Sequence, residues 1–262
     1  MRILVPHGFY SFTSRSADFS QRIYVNGVWL LDIGRPGDSK ESSVPNTGRF
    51  IFSAPSVELA SAGAVADAAA GAGVIELVQQ SSNFVHRTSG GHLSIRIGTG
   101  SYIADYGRAE DFQASILIGC YFIMFLLFFL LYFTHGRVWA NLCFALFCFM
   151  WFLRVGVIRG RVFTVLLPFL DWETKFRIEY IAIPTAFALG FFIINSLFPK
   201  VLHKTGLYII YAVSAVFAVF FLFAGTIDMS HALQYLYMVY GLVIIYFFPA
   251  LAGIFSITKT GA

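Results

Sequence analysis

Two side chains of opposite charge flank one connection between long apolar segments of this sequence. Arg154 lies near the end of one apolar segment, and Glu179 lies near the start of the next. Charged groups that face lipid are costly, so they normally face other helices or water and find partners. The spacing predicts an Arg154–Glu179 ion pair that latches two helices together. The alternative is two separate charges that snorkel to the membrane surface.

A second group of polar residues precedes a pair of glycines in the first half of the chain. Asn83, His86 and Arg87 lie just before Gly90-Gly91. Such side chains can line a binding site for a carbohydrate or a small anion. The alternative, which we prefer, is structural, because Asn side chains cap turns and glycine adopts positive φ at little steric cost.

No residue pattern in the sequence indicates catalysis or metal binding. The sequence has no Gly-rich phosphate loop followed by a helix, no H-E-x-x-H and no G-x-S-x-G. His86 and His92 come nearest to a metal site, but no third ligand is placed beside them. We therefore expect no catalytic residue, no metal and no cofactor. Gly98-Thr99-Gly100-Ser101 is expected to form a turn only.

The composition separates the chain into two regions. Only 12% of the residues are charged and 58% are hydrophobic, whereas about 25% are charged in an average soluble domain. The deficit of charge is concentrated after residue 112. The net charge of +4 includes no basic run or basic helix face, so we expect no nucleic-acid partner. All three cysteines lie in apolar stretches, which excludes a disulfide framework.

The second region reads as an α-helical polytopic membrane bundle over residues 111–258. Phe112–Phe133 holds no charge over 22 residues, which is long enough to cross a hydrocarbon core of about 30 Å. Pro184 and Pro249 fall inside predicted helices. Asp228 and His231, between the last two predicted helices, are three residues apart and either pair on one helical face or lie in a solvated loop. The five transmembrane helices are predicted near residues 112–134, 138–158, 178–198, 207–225 and 234–257.

The first region, residues 1–110, is predicted to be an all-β domain. Asn26-Gly27 separates two apolar runs, which is a strong hairpin signal, and Leu93–Ile97 alternates with a period of two. Many short strands with Gly and Pro between them favour a jelly roll or another β-sandwich. Ala60–Gly73 is rich in alanine and glycine and is expected to be a flexible insertion.

The order of several short motifs resembles the bacterial seven-transmembrane receptors with diverse intracellular signalling modules. In the first region, the resemblance lies in a strand that ends near Ser82-Asn83-Phe84, continues through His86-Arg87 and reaches a Gly-Gly turn. In the second region, it lies in a series of motifs spread over the helices. These are Asn141-Leu142, Leu153-Arg154, Asp171-Trp172-Glu173, Arg177–Tyr180 and Leu197-Phe198-Pro199.

This resemblance implies a sensory receptor. Because no catalytic constellation is found in the sequence, we expect that this chain is not itself an enzyme, although a full-length parent could carry a kinase or diguanylate cyclase module. Its jelly roll would be a galactose-binding-like extracytoplasmic domain that binds a small ligand such as a carbohydrate. The family has seven helices and a cytoplasmic output module, so we expect this chain to be a fragment of a larger receptor. A natural truncated regulator is the alternative. The output module would act either in cis, in a part of the receptor that is missing from this sequence, or in trans.

The resemblance also implies the location and partners of the chain. It places a multi-pass protein in the bacterial inner membrane, with a periplasmic or extracellular N-terminal domain, a bilayer around its helices and a homo-oligomer as one possible assembly. The alternative function is a transporter or a transporter-accessory protein. The middle of the helices is nearly all Phe, Leu, Ile and Ala, which disfavours a polar substrate path.

Overall fold

The computed structural model describes residues 2–6, 10–53, 72–87, 95–159, 163, 167, 169–199 and 204–260. The chain divides into two compact units, Met1–Phe112 and Gln113–Ala262. This division falls at the residue where the composition changes. The predicted flexible insertion, Ala60–Gly73, lies outside the described residues except for Ala72 and Gly73, which begin a strand.

The first unit contains antiparallel β-structure, as the sequence predicted. Every pairing between its described strands is antiparallel. The sequence also predicts short strands at Arg49–Phe52 and Val74–Gln79, so the second half of β2 and strands β3 to β6 match predicted strands, while β1 and the first half of β2 were not predicted. The described strands are β1 (Arg2–Pro6), β2 (Ser11–Val25), β3 (Val28–Ile33), β4 (Asn46–Ser53), β5 (Ala72–Ser82) and β6 (Ile95–Gly98).

Strand β2 organises this unit because it pairs with four other strands. Its first half lies between β4 and β6, and its second half lies between β3 and β5. The register of β2 against β4 shifts between Ser16 and Phe19, which is how a bulge bends a strand. Buried Phe12 from the first half and Ile23 from the second half pack in one apolar cluster.

The predicted hairpin at Asn26-Gly27 is confirmed. The two residues have φ values of 50° and 78°, the left-handed conformation that two-residue hairpin turns require and that Asn and Gly tolerate. The Asn26 side chain also accepts a hydrogen bond from the Glu76 backbone N–H at 2.8 Å. The turn is therefore tied to the neighbouring strand β5 as well as to its own hairpin.

Arg22 and Asp32 form an ion pair across the β2–β3 hairpin. Arg22 donates two hydrogen bonds of 2.8 Å to the two carboxylate oxygens of Asp32. Trp29 donates a third, of 3.0 Å, to the same carboxylate. The Arg22 guanidinium, and after it the Trp29 indole, hold the pKa of the Asp32 carboxyl below its usual value of 3.8.

We expect this pair to make the stability of the first unit sensitive to acid. Because the Asp32 pKa is lower in the folded than in the unfolded chain, its contribution is complete at neutral pH. It is lost as the pH falls through the folded pKa, below about 4. The Tm advantage of wild type over Asp32→Asn should therefore shrink on acidification, measured by thermal unfolding. Exposed Asp38→Asn is the control, and an advantage that does not change with pH would contradict the prediction.

The described part of the second unit consists mainly of long helices. Four of the described helices are long and apolar enough to span a membrane, and α5 is a further long helix. The sequence predicted five transmembrane helices, and four helices among the described residues meet that length and composition, with boundaries that differ from the predicted ones. The described helices are α1 (Gly100–Thr134), α2 (Trp139–Arg159), α3 (Trp172–Leu197), α4 (Lys204–Phe223) and α5 (Thr226–Thr260).

The predicted turn at Gly98-Thr99-Gly100-Ser101 was wrong, and the last helix begins earlier than predicted. Helix α1 begins at Gly100, inside the predicted turn, because Thr99 caps it: the Tyr102 backbone N–H donates to the Thr99 hydroxyl at 3.4 Å. Helix α5 begins at Thr226, so of the two alternatives for Asp228 and His231 the structure has both residues on a helix. Hydropathy predicts only the part of a helix that contacts lipid. The first turns of a helix can be polar, so the starts of α1 and α5 were missed.

The core of the second unit is aromatic and contains one buried polar pair. Phe176 and Tyr180 of α3 pack with Phe221 of α4 and with side chains of α5. Tyr240 stacks on Phe187 with ring centroids 3.5 Å apart. Its hydroxyl forms a buried 2.9 Å hydrogen bond with the Ser214 hydroxyl. Aromatic stacking and this buried hydrogen bond help to hold α3, α4 and α5 together.

Candidate functional site

The structure brings Arg154 and Glu179 together. Nη2 of Arg154 lies 3.9 Å from Oε1 of Glu179, and the two side chains are only 21% and 23% exposed. Arg154 is on α2 and Glu179 is on α3, so the contact joins neighbouring helices. The Arg154 guanidinium also lies 5.5 Å from the centroid of the Trp151 ring. Whether this contact acts as a latch remains a hypothesis.

The Arg154 guanidinium keeps unused hydrogen-bonding capacity. Its distance of 3.9 Å from Glu179 is longer than a normal N–H···O hydrogen bond of about 3 Å. Its Nε atom is buried and has no hydrogen-bond partner among the described residues. A buried donor without a partner is costly, so this side chain is suited to receive a further acceptor.

Arg154 lines a cavity of about 460 Å³ within the second unit. We call it the α2–α3–α5 cavity, after the helices that supply its walls. The α2 wall consists of Phe147, Met150, Trp151 and Arg154, which lie on one helical face. The other walls are apolar or aromatic apart from the Tyr hydroxyls, so Arg154 is the charged group of the cavity.

A third charged residue, Arg177, connects α3 to the end of α4. Its guanidinium donates hydrogen bonds of 3.1 Å and 2.8 Å to the backbone carbonyls of Phe221 and Leu222. It also donates 3.1 Å and 2.6 Å hydrogen bonds to Glu173. The i,i+4 spacing of Glu173 and Arg177 is visible in the sequence, but the two carbonyls are not. The role of Arg177 therefore cannot be predicted from residue spacing.

The predicted ligand residues Asn83, His86 and Arg87 lie in a turn after β5. The Asn83 side-chain oxygen accepts hydrogen bonds from the backbone N–H groups of Val85 and His86, at 3.2 Å and 3.0 Å. Its side-chain nitrogen donates a 2.5 Å hydrogen bond to the His86 carbonyl. Asn83 therefore has the turn-forming geometry of the structural alternative. Gly90, Gly91 and His92 lie outside the described residues.

Three serine hydroxyls anchor the strand that leads into this turn. Ser82, Ser20 and Ser43 lie 2.8 Å from one another in all three pairs. The Gly37 backbone N–H also donates a 3.2 Å hydrogen bond to the Ser82 hydroxyl. The residue before Asn83 is thus held from three directions, which makes the start of the turn rigid.

We expect Asn83→Ala to destabilise the first unit modestly. The substitution removes three hydrogen bonds to the backbone of the turn, and each net bond is worth about 1 kcal/mol or less. Because water can replace part of them, the expected loss of unfolding free energy is about 1–2 kcal/mol. Denaturant unfolding measures it. Asn83→Asp, which keeps the acceptor, should lose less, and equal losses would contradict the assigned role of the oxygen.

Metal-binding and thiol chemistry find little support in the described part of the chain. No group of three or more His, Cys, Asp and Glu residues is placed there to hold a metal ion. The cysteines are free: Cys120 is exposed, Cys143 is half-buried and Cys148 is buried.

Comparison with known proteins places the second unit in context. A family model described as 7TM diverse intracellular signalling matches residues 110–260, more than half of the chain. No curated protein matches the sequence. No solved structure matches it. The matched range covers α2 to α5 and includes Arg154, Arg177, Glu179 and the α2–α3–α5 cavity.

Proposed function

Because the chain belongs to the 7TM diverse intracellular signalling family, we propose that it is a sensory receptor that binds an extracytoplasmic ligand and relays its presence across the membrane. Membership makes it a multi-pass membrane protein with a signalling role, as the resemblance in the sequence predicted. The match over residues 110–260 carries the proposal. The β-unit supplies the ligand-binding part, and the helices supply the relay.

The ligand we propose is a small carbohydrate, bound by the first unit. Antiparallel strands around one apolar core are compatible with the galactose-binding-like jelly roll that the sequence predicts. Asn83 shapes the turn, which leaves His86 and Arg87 as the polar side chains beside it. This assignment places the first unit on the periplasmic side of a bacterial inner membrane.

The relay we propose uses the Arg154–Glu179 contact as a latch. A ligand shifts a two-state equilibrium only by its differential affinity for the two states, so the helices need two arrangements of similar energy. A partly buried ion pair at 3.9 Å is suited to this, because it lacks the direct hydrogen bonds that would fix one arrangement. The output in this proposal is a cytoplasmic module, either in cis or in trans. The proposed assembly of the receptor is a homo-oligomer.

The proposal can be tested with an output module joined after Ala262. We would fuse a diguanylate cyclase to the full chain, reconstitute the fusion in liposomes and measure product formation while adding mono- and oligosaccharides. At least one sugar should change the output severalfold, and Glu179→Gln should change the basal output. Sugar-dependent flux without any change in output would contradict the receptor and support the transporter alternative.

Binding to the first unit can be measured separately on the full chain. In nanodiscs, His86→Ala and Arg87→Ala should each weaken binding of an active sugar at least tenfold, because each removes a polar contact. Exposed Arg35→Ala, in the connection between β3 and β4, is the matched control and should bind normally. Unchanged affinity in both site variants would remove the proposed site while leaving the receptor function open to the output assay.

A further inference from the structure

We infer that the α2–α3–α5 cavity is a second ligand site, which binds a single-chain amphiphile with an anionic headgroup. The inference concerns the membrane helices and is independent of the sugar site proposed for the first unit. It rests on the volume of the cavity, on the chemistry of its walls and on the unused donors of Arg154. No part of it requires that the chain signals.

The size and walls of the cavity indicate an apolar ligand of moderate size. Its volume of about 460 Å³ lies within the range of small-molecule sites, about 300–1,000 Å³. The wall residues on α3 run from Ala182 to Ile194, a length of about 18 Å at 1.5 Å per residue. An elongated apolar cavity of this length accommodates one extended hydrocarbon chain better than a compact polar molecule.

Arg154 determines the chemistry of the headgroup. Its Nε atom is buried without a partner among the described residues, and its Nη2 atom is too far from Glu179 for a good hydrogen bond. A planar guanidinium recognises a carboxylate or a phosphate through two parallel hydrogen bonds. The Arg154 side chain is 21% exposed, so an anionic headgroup would compete with Glu179 for this guanidinium.

The position of Arg154 along the helices fits an amphiphile whose headgroup lies near the membrane surface and whose chain lies in the membrane interior. Arg154 lies five residues before the end of α2, Arg159, and Glu179 lies seven residues after the start of α3, Trp172. Both are therefore about 8–11 Å from a helix end at 1.5 Å per residue. The remaining wall residues lie deeper along α2 and α3. A headgroup near the membrane surface and a chain in its interior is the arrangement that any amphiphile adopts in a bilayer.

Two glycines provide a matched pair of variants. A Cβ atom built at Gly241 meets nothing within 4 Å, and Gly241 lines the cavity. A Cβ atom at Gly119 also meets nothing within 4 Å, but Gly119 is on α1 and does not line the cavity. Gly241→Leu therefore fills the site, whereas Gly119→Leu makes the same change elsewhere in the second unit.

The experiment uses quenching of Trp151, which lines the cavity, by 9,10-dibromostearate. The full chain is placed in phosphatidylcholine nanodiscs, and Trp151→Phe is subtracted to remove quenching of other tryptophans in the bilayer. Wild type and Gly119→Leu should show saturable quenching, Gly241→Leu should show none, and Arg154→Gln should require at least tenfold more ligand. Glu179→Gln should require less ligand than wild type, because the competing carboxylate is gone.

Three competitors that share the same hydrocarbon chain but differ in headgroup test the role of charge without any variant. Oleate and oleyl phosphate, which represent a free fatty acid and a phospholipid-derived chain, should displace the quencher at least tenfold better than oleyl alcohol. The stronger of the two identifies the source. Equal displacement by oleyl alcohol, quenching that rises linearly without saturation, or unchanged quenching in Gly241→Leu would each overturn the inference.

Discussion

Reversing the charge of Arg154 to Glu should destabilise the second unit by about 2–3 kcal/mol, and adding Glu179→Arg should restore most of the loss. The variant places two carboxylates beside each other in a region where both side chains are only about one fifth exposed. Breaking a fully buried pair costs about 3–5 kcal/mol and a surface pair about 1 kcal/mol or less. The expected value lies between them.

A double-mutant cycle in detergent measures this coupling. Unfolding free energies of wild type, Arg154→Glu, Glu179→Arg and the double variant isolate the interaction between the two positions. Arg137→Glu, an exposed residue between α1 and α2, makes the same change of charge where no coupling is expected. Two independent single losses that simply add in the double variant would show that the charges snorkel separately, as in the alternative interpretation.

Replacing Arg177 by Gln should destabilise the contact between α3 and α4 by about 2–3 kcal/mol. The substitution removes hydrogen bonds from a charged donor to the Phe221 and Leu222 carbonyls, and bonds of this kind are worth about 1.5–3 kcal/mol. Arg177 also places a positive charge at the C-terminal end of α4, where the helix dipole is negative. Reversible unfolding in detergent and hydrogen exchange near Leu222 provide the measurements.

The partner residue Glu173 separates the two roles of Arg177. Glu173→Gln removes the ion pair but leaves both carbonyl contacts, and Glu173 is half exposed. Its loss should therefore cost about 0.5 kcal/mol, which is typical of a surface pair on one helix. Arg177→Lys should recover less than half of the loss, because lysine lacks the planar fork that reaches two carbonyls. Equal losses for Glu173→Gln and Arg177→Gln would contradict the capping role.

Local patterns predicted those elements whose signal lies within a few residues. The Asn26-Gly27 hairpin followed from the need for positive φ at both turn positions. The apolar helices were predicted from long runs of apolar residues, which a helix needs in order to span a bilayer. The first half of β2 was missed because Ser11–Ser20 is largely polar and its alternation is interrupted by the register shift near Ser16. Its partners β4 and β6 come from distant parts of the chain.

The candidate site could be predicted in part. Arg154 and Glu179 were singled out because charges are expensive in lipid, and the structure places them 3.9 Å apart. The Asn83 turn was considered because Asn commonly caps turns, and three hydrogen bonds of that kind occur. The role of Arg177 and the α2–α3–α5 cavity were missed. Neither a contact with a backbone carbonyl nor an empty volume can be recognised from the types of the residues in a sequence.

The sequence by itself determined that a β-rich region precedes a series of long apolar helices, and it determined which signalling family the chain belongs to. Each of these depends on the preferences of residues taken one short segment at a time. Only the tertiary structure decided that Arg177 reaches the end of α4 and that Arg154 faces an apolar cavity. Those contacts depend on which helices pack together, and packing is a property of surfaces assembled from distant segments.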